Sequence, residues 1–149
     1  MIHLLAVAAA LQQAVVVPPE SGEVHLRNIR QLTFGGQNAE AYFSRSGTQL
    51  IFQRTPGDTG CDQQYVMNID GSALHRVSSG LGRTTCGYFY AGDARILYAS
   101  TERAGAACPP RPDYSHGYVW ALYDYDIYVA DSSGAQARRL TDSPGYDAE

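Results

Sequence analysis

Short runs rich in aromatic and β-branched residues alternate along the chain with breaks containing Gly, Ser, Asp and Pro, and the runs recur in matched pairs. "AYFSRSGTQLIF" at 41–52 aligns with "GYFYAGDARILY" at 87–98. In each, an aromatic pair leads into a Gly-containing turn, then one polar residue and a short apolar run, the pattern of a β-hairpin. Downstream, "YVMNIDGSALHRVS" at 65–78 aligns with "YVADSSGAQARRLT" at 128–141. Here an apolar strand passes through a polar turn at Gly71 or Gly134 into a strand that points Val77 or Leu140 inward. Its basic residues, Arg76, Arg138 and Arg139, fall on an outer solvated face, and Asp70 beside Gly71 reads as turn chemistry. "NIRQLT" at 28–33 repeats the ending once more. Beyond the N-terminal stretch, nothing carries helical spacing.

The repeating unit is therefore four strands. The first copy reads "AYFS", "QLIFQRT", "QQYVMNI" and "LHRVS"; the second reads "CGYFY", "RILYAST", "YDIYVAD" and "ARRLT". Four-stranded antiparallel units recurring roughly every 45–65 residues predict an all-β fold, a β-propeller of which about two blades are present. Residues 27–33 form a lone outer strand, 38–79 the first blade, and 84–141 the second blade with an insertion at 102–124. Residues 142–149 start a third, because "GYDAE" at 145–149 repeats "GQNAE" at 36–40. Two blades leave open sheet faces and edges, and a closed ring needs at least about four. The expectation is a six-bladed or similar ring whose remaining blades follow residue 149, ahead of closure by partner chains.

Composition narrows the function classes. With 149 residues the chain falls in the range of one domain, and 44% hydrophobic content with eleven tyrosines suits a strand-built core. Only 17% of residues are charged and the net charge is −4, which argues against a nucleic-acid or anionic-membrane surface. "MIHLLAVAAALQQAVVV" at 1–17 is interrupted by Gln12 and Gln13, too short and broken for a transmembrane span. Residues 1–20 read as a signal peptide cleaved near Ala10 to Ala14, with His3 where a basic n-region residue is usual, the alternative being an N-terminal apolar segment that forms a strand. That places the protein in the periplasm or outside the cell. No Cys follows the apolar core to take a lipid.

"RQLTFGGQNAEAYFSRSGTQLIF", "YVMNIDGSALHRVS" and "DIYVADSSGAQARRLTDSPGYDAE" resemble the WD40-like (PD40) repeats of TolB-type propellers over residues 27–149. The family's Ser-Pro-Asp-Gly turn is replaced by "SRSG" at 44–47 and "YAGD" at 90–93, where Gly47 or Gly92 can still supply the turn. The resemblance implies a non-enzymatic, exported module for protein–protein interaction without a cofactor. Two alternatives accompany it. One is a propeller appendage gating a prolyl-oligopeptidase-like hydrolase domain that the chain does not contain. The other is a subunit of a larger extracytoplasmic or membrane-associated assembly.

Within that fold, Cys61, Cys86 and Cys108 converge on one rim. An exported chain with three cysteines predicts one disulfide and one remaining thiol. Cys86 can pair with Cys108, stapling the insertion, or with Cys61, clasping two blades. A zinc site of the three Cys with His116 is the other option, without CxxC spacing to support it. The insertion "ERAGAACPPRPDYSHGYVWALYD" carries Tyr118, Trp120 and Tyr123, either a lid over the blade or a contact surface for a partner. Asp113, Ser115 and His116 lie close in sequence, but no nucleophile elbow accompanies them. Asn38 and Glu40, with Asp147 and Glu149, precede the innermost strand in successive repeats and point to the channel mouth. They either cap the strand and hold blades in register or offer carboxylates to a cation or basic peptide.

Overall fold

The computed structural model describes residues 14–148, and every regular element among them is a β-strand. Strands β1 (Val15–Val16) and β2 (Arg30–Gln31) form a short antiparallel pair. Strands β3 (Gln37–Phe43), β4 (Gln49–Thr55), β5 (Gln63–Asn68) and β6 (His75–Arg76) form a four-stranded antiparallel meander. Strands β7 (Thr84–Tyr90), β8 (Arg95–Ser100), β9 (Asp126–Asp131) and β10 (Arg138–Arg139) form a second. The two sheets stack face to face as consecutive blades of a β-propeller.

The residues explain the match between the sheets. The β3–β4 and β7–β8 turns need left-handed backbone, and Gly47 (φ 70°) and Gly92 (φ 68°) supply it where an L side chain would be strained. The β5–β6 and β9–β10 turns are closed by carboxylates: Asp70 accepts from the Ser72 N–H at 2.9 Å, and Asp131 from those of Ser133 and Ala135 at 3.0 and 2.9 Å. The sheets also share one irregularity. Register slips between Ala39 and Tyr42 in the first and between Thr85 and Tyr88 in the second, with Glu40 (φ 48°) and Cys86 (φ 51°) in the left-handed region. Each slip is a β-bulge that bends the inner strand.

Alternation sets the core. Ile51, Val66 and Val77 of the first sheet meet Ile96, Tyr98, Tyr128 and Ala130 of the second in one buried cluster. The opposite face of the first sheet, Leu50, Phe52 and Met67, is covered by Leu32, Tyr65, Ile69 and Leu74. Two backbone bonds end on matching positions, one just before the third strand of each blade. The Thr84 N–H donates to the carbonyl of Asp62, just before β5, at 2.8 Å. One repeat later, the Asp147 N–H donates to the carbonyl of Tyr125, just before β9, at 3.0 Å.

Four expectations differ in detail. The outer strand at 30–31 is not alone, because Val15–Val16 pairs with it; the rest of the predicted signal segment, residues 1–13, lies outside the described residues. The Asn-Ala-Glu phrase does not precede the inner strand but sits inside β3, since Asn38 and Ala39 pair with Arg54 and Gln53. Arg139 is not a solvated outer residue: its Nε lies 3.0 Å from the buried Asp126 carboxylate. Leu140 is 46% exposed where its counterpart Val77 is 2% exposed, because the second blade has no further blade among the described residues to cover it.

Candidate functional site

The two β-strand connections at one rim differ greatly in length. Residues 56–62 join β4 to β5, whereas 101–125 join β8 to β9. The longer segment folds back over the first blade. A disulfide between Cys61 and Cys108, with Cα atoms 5.7 Å apart, ties it there. The Gly82 N–H donates to Ala106 at 2.9 Å, the Tyr123 hydroxyl donates to the Pro110 carbonyl at 2.6 Å, and Ser79 donates to Glu102.

This pairing corrects the sequence reading, which matched Cys86 with one neighbour or the other. Cys61 and Cys108 lie in the β4–β5 and β8–β9 connections at the same rim, while Cys86 occupies the β7 bulge. Its Sγ lies 3.7 Å from Glu40 Oε2 and 3.3 Å from Thr85 Oγ1. The disulfide also removes two thiolates from the zinc option. The Asp113–Ser115 pair is a local turn: Asp113 accepts from the Ser115 N–H at 2.8 Å and from its hydroxyl at 3.0 Å. Chiefly that N–H holds the Asp113 carboxyl below its ordinary pKa. The Ser115 proton is thus directed at Asp113 within that local turn.

Beneath the insertion lies a cleft of about 260 Å³. Its walls are aromatic: Tyr114, Tyr118, Trp120, Tyr123, Tyr125 and Tyr146. Tyr114 and Tyr118 stack at 6.0 Å between centroids, and Trp120 stands edge-on to Tyr118 at 6.4 Å. Tyr125 carries the other wall, 6.3 Å from Tyr123 and 5.7 Å from Tyr146. Desolvation drives the Tyr125 hydroxyl pKa far upward, so it stays neutral. The polar floor comes from the inner strands and their approaches, with Glu40, Gln53, Asp62 and Arg83. Arg83 Nη1 lies 3.8 Å from Asp62 Oδ2, and Thr55 Oγ1 donates to Asp62 Oδ1 at 2.8 Å.

The fold therefore brings together Glu40, Tyr118, Trp120 and Tyr123, predicted as separate sites. It does not bring Asn38 and Asp147 to the cleft. The Asn38 amide donates to the Gly35 carbonyl at 3.2 Å, and Asp147 accepts from Ser143 at 2.8 Å, both local. Glu149 lies outside the described residues. Asp62, Arg83, Tyr114, Tyr125 and Tyr146 escaped the sequence reading, although Tyr146 stood inside the repeated "GYDAE" phrase. Near the same bulges, Tyr42 and Tyr88 approach to 4.3 Å between centroids. The hydrogen bond with Tyr88 pushes the Tyr42 pKa up to about 12.

The fold matches that of a solved structure described as a putative TolB from Agrobacterium tumefaciens, with a TM-score of 0.56 and 21% identity. The match covers 78% of this chain and 37% of the other, so the chain spans little more than a third of that protein's length. No family model and no curated protein matches the chain. What the likeness establishes is the fold: an all-β chain of four-stranded antiparallel blades of a β-propeller.

Proposed function

We propose that the chain is part of an exported, non-enzymatic β-propeller module that recognises a protein partner through the rim carrying the insertion. The observation behind this reading is the exposure of a tethered aromatic surface. Tyr118 is 78% exposed, Leu122 70% and Trp120 56%, on a segment anchored by a disulfide. Large side chains left in water on an anchored segment give contact area at low ordering cost, the hallmark of interface anchors. The disulfide supports an oxidising compartment. The structural likeness to a putative TolB supports a binding platform, and the repeat of the Thr84–Asp62 bond at Asp147–Tyr125 supports residues 142–149 as the start of a third blade.

Photo-crosslinking in cells tests the reading. A benzophenone side chain replacing Tyr118 should give discrete protein adducts, and the same group replacing the exposed Arg138 on the outer strand should not. Equal adducts from both positions, or none from either, would refute it. An alkaline-phosphatase fusion to the C-terminus of the chain should be active, as expected for an exported protein.

A further inference from the structure

We infer that the cleft beneath the insertion is a site for an organic cation, a quaternary ammonium or the ammonium or guanidinium head of a basic side chain. This rests on the rim being the binding face, and it adds the chemistry recognised there. Aromatic faces attract cations through the ring quadrupole, and six rings line this cleft. Tyr114 and Tyr118 are nearly parallel, with 7° between planes, and Trp120 closes the end at 61° to Tyr118.

The floor decides the sign of the charge. It holds two carboxylates, Glu40 and Asp62, and one basic group, Arg83. Arg83 is already turned to Asp62, and its Nε is buried. Glu40 is left as an exposed carboxylate whose hydrogen-bonding neighbour is the Cys86 thiol. A neutral apolar guest would strip water from Glu40 without replacing its interactions, and an anion would be repelled. A cation satisfies both the rings and Glu40. The volume of about 260 Å³ suits a headgroup, being below the range of roughly 300–1,000 Å³ typical of whole drug-sized ligands.

Trp120 is the only tryptophan in the sequence, so intrinsic fluorescence reports on the cleft itself. Titrating the disulfide-intact chain with tetramethylammonium should give a saturable change in Trp120 emission. Its neutral counterpart 3,3-dimethyl-1-butanol should not. Glu40→Gln should weaken tetramethylammonium binding by about five-fold, more at low ionic strength, while thermal melting by circular dichroism stays unchanged. Tyr118→Leu, on an exposed segment, should weaken it as well without loss of fold. Equal saturation by the neutral probe, no saturation by any cation, or full binding in Glu40→Gln would overturn the inference.

A capped tripeptide centred on lysine or arginine separates the sources. Binding about tenfold tighter than tetramethylammonium assigns the site to a partner's side chain, and equal or weaker binding assigns it to a free solute. Crosslinked adducts at position 118 without any cation response would refute the cation alone. A cation response without adducts would refute the partner reading alone.

Discussion

At the level of single residues, the bulge positions show how one backbone feature serves two environments. Ala41 in the first blade is exposed, whereas its counterpart Gly87 is buried against the preceding sheet. A Cβ at Gly87 would lie 2.3 Å from Gln64 Oε1 and 3.0 Å from Ile51 Cδ1. Gly87→Ala is therefore expected to destabilise the protein by about 1–3 kcal/mol in urea unfolding, as overpacking does. Ala41→Gly should have a smaller effect, and equal losses at both sites would contradict this account. Asp93 works differently, reaching across the blade boundary to accept from the Arg45 and Ser46 N–H groups at 2.6 and 2.8 Å. The Ser46 N–H, above all, lowers its pKa. A carboxyl whose pKa is depressed by folding stabilises above its unfolded value of about 3.9, and that contribution vanishes as pH falls through the folded value. Asp93→Ala should melt below the wild type at pH 7, and the two melting curves should converge once the pH falls well under 3.9. A constant gap across pH would show that Asp93 acts through packing alone.

Among the elements, the strands were the most legible part of the sequence. Each copy carries its own turn glycine and apolar run, so local chemistry suffices to place β4, β5, β8 and β9. The outer strand β2 was legible from the repeated ending at 28–33, but its partner β1 was not, because Val15–Val16 continues an apolar stretch that resembles a leader. The disulfide was not legible either. Its partners are 47 residues apart, and which cysteines meet depends on where the insertion folds, which no local pattern encodes. The same holds for the cleft: Glu40 and Trp120 were each singled out, but their meeting follows from the insertion crossing to the neighbouring blade. Cys108→Ser should lower stability by on the order of 2–4 kcal/mol and render residues 102–124 susceptible to limited proteolysis. Unchanged proteolysis would mean that Tyr123 and the backbone bonds hold the insertion without the disulfide.

Considered as a whole molecule, the two sheets share the main core between them, and a smaller second cluster lies on the opposite face of the first sheet. Ile51, fully buried, belongs to the first sheet yet packs in the cluster with Ile96, Tyr98 and Tyr128 of the second. Ile51→Ala should cost about 2–5 kcal/mol. The loss should appear equally in circular dichroism, which sees both sheets, and in the fluorescence of Trp120, carried by the second blade. A dichroism midpoint that moves while the Trp120 midpoint stays would show that the blades unfold independently.

The backbone bond from Thr84 to Asp62, and its counterpart from Asp147 to Tyr125, has a further consequence. Both end on the residue just before the third strand of a blade, at the close of a rim connection that is short in one blade and long in the other. The path of the blades is thus insulated from the loop that decorates them. Such a rim can exchange its loops as cassettes, acquiring new recognition chemistry over evolutionary time while the scaffold beneath keeps its pitch.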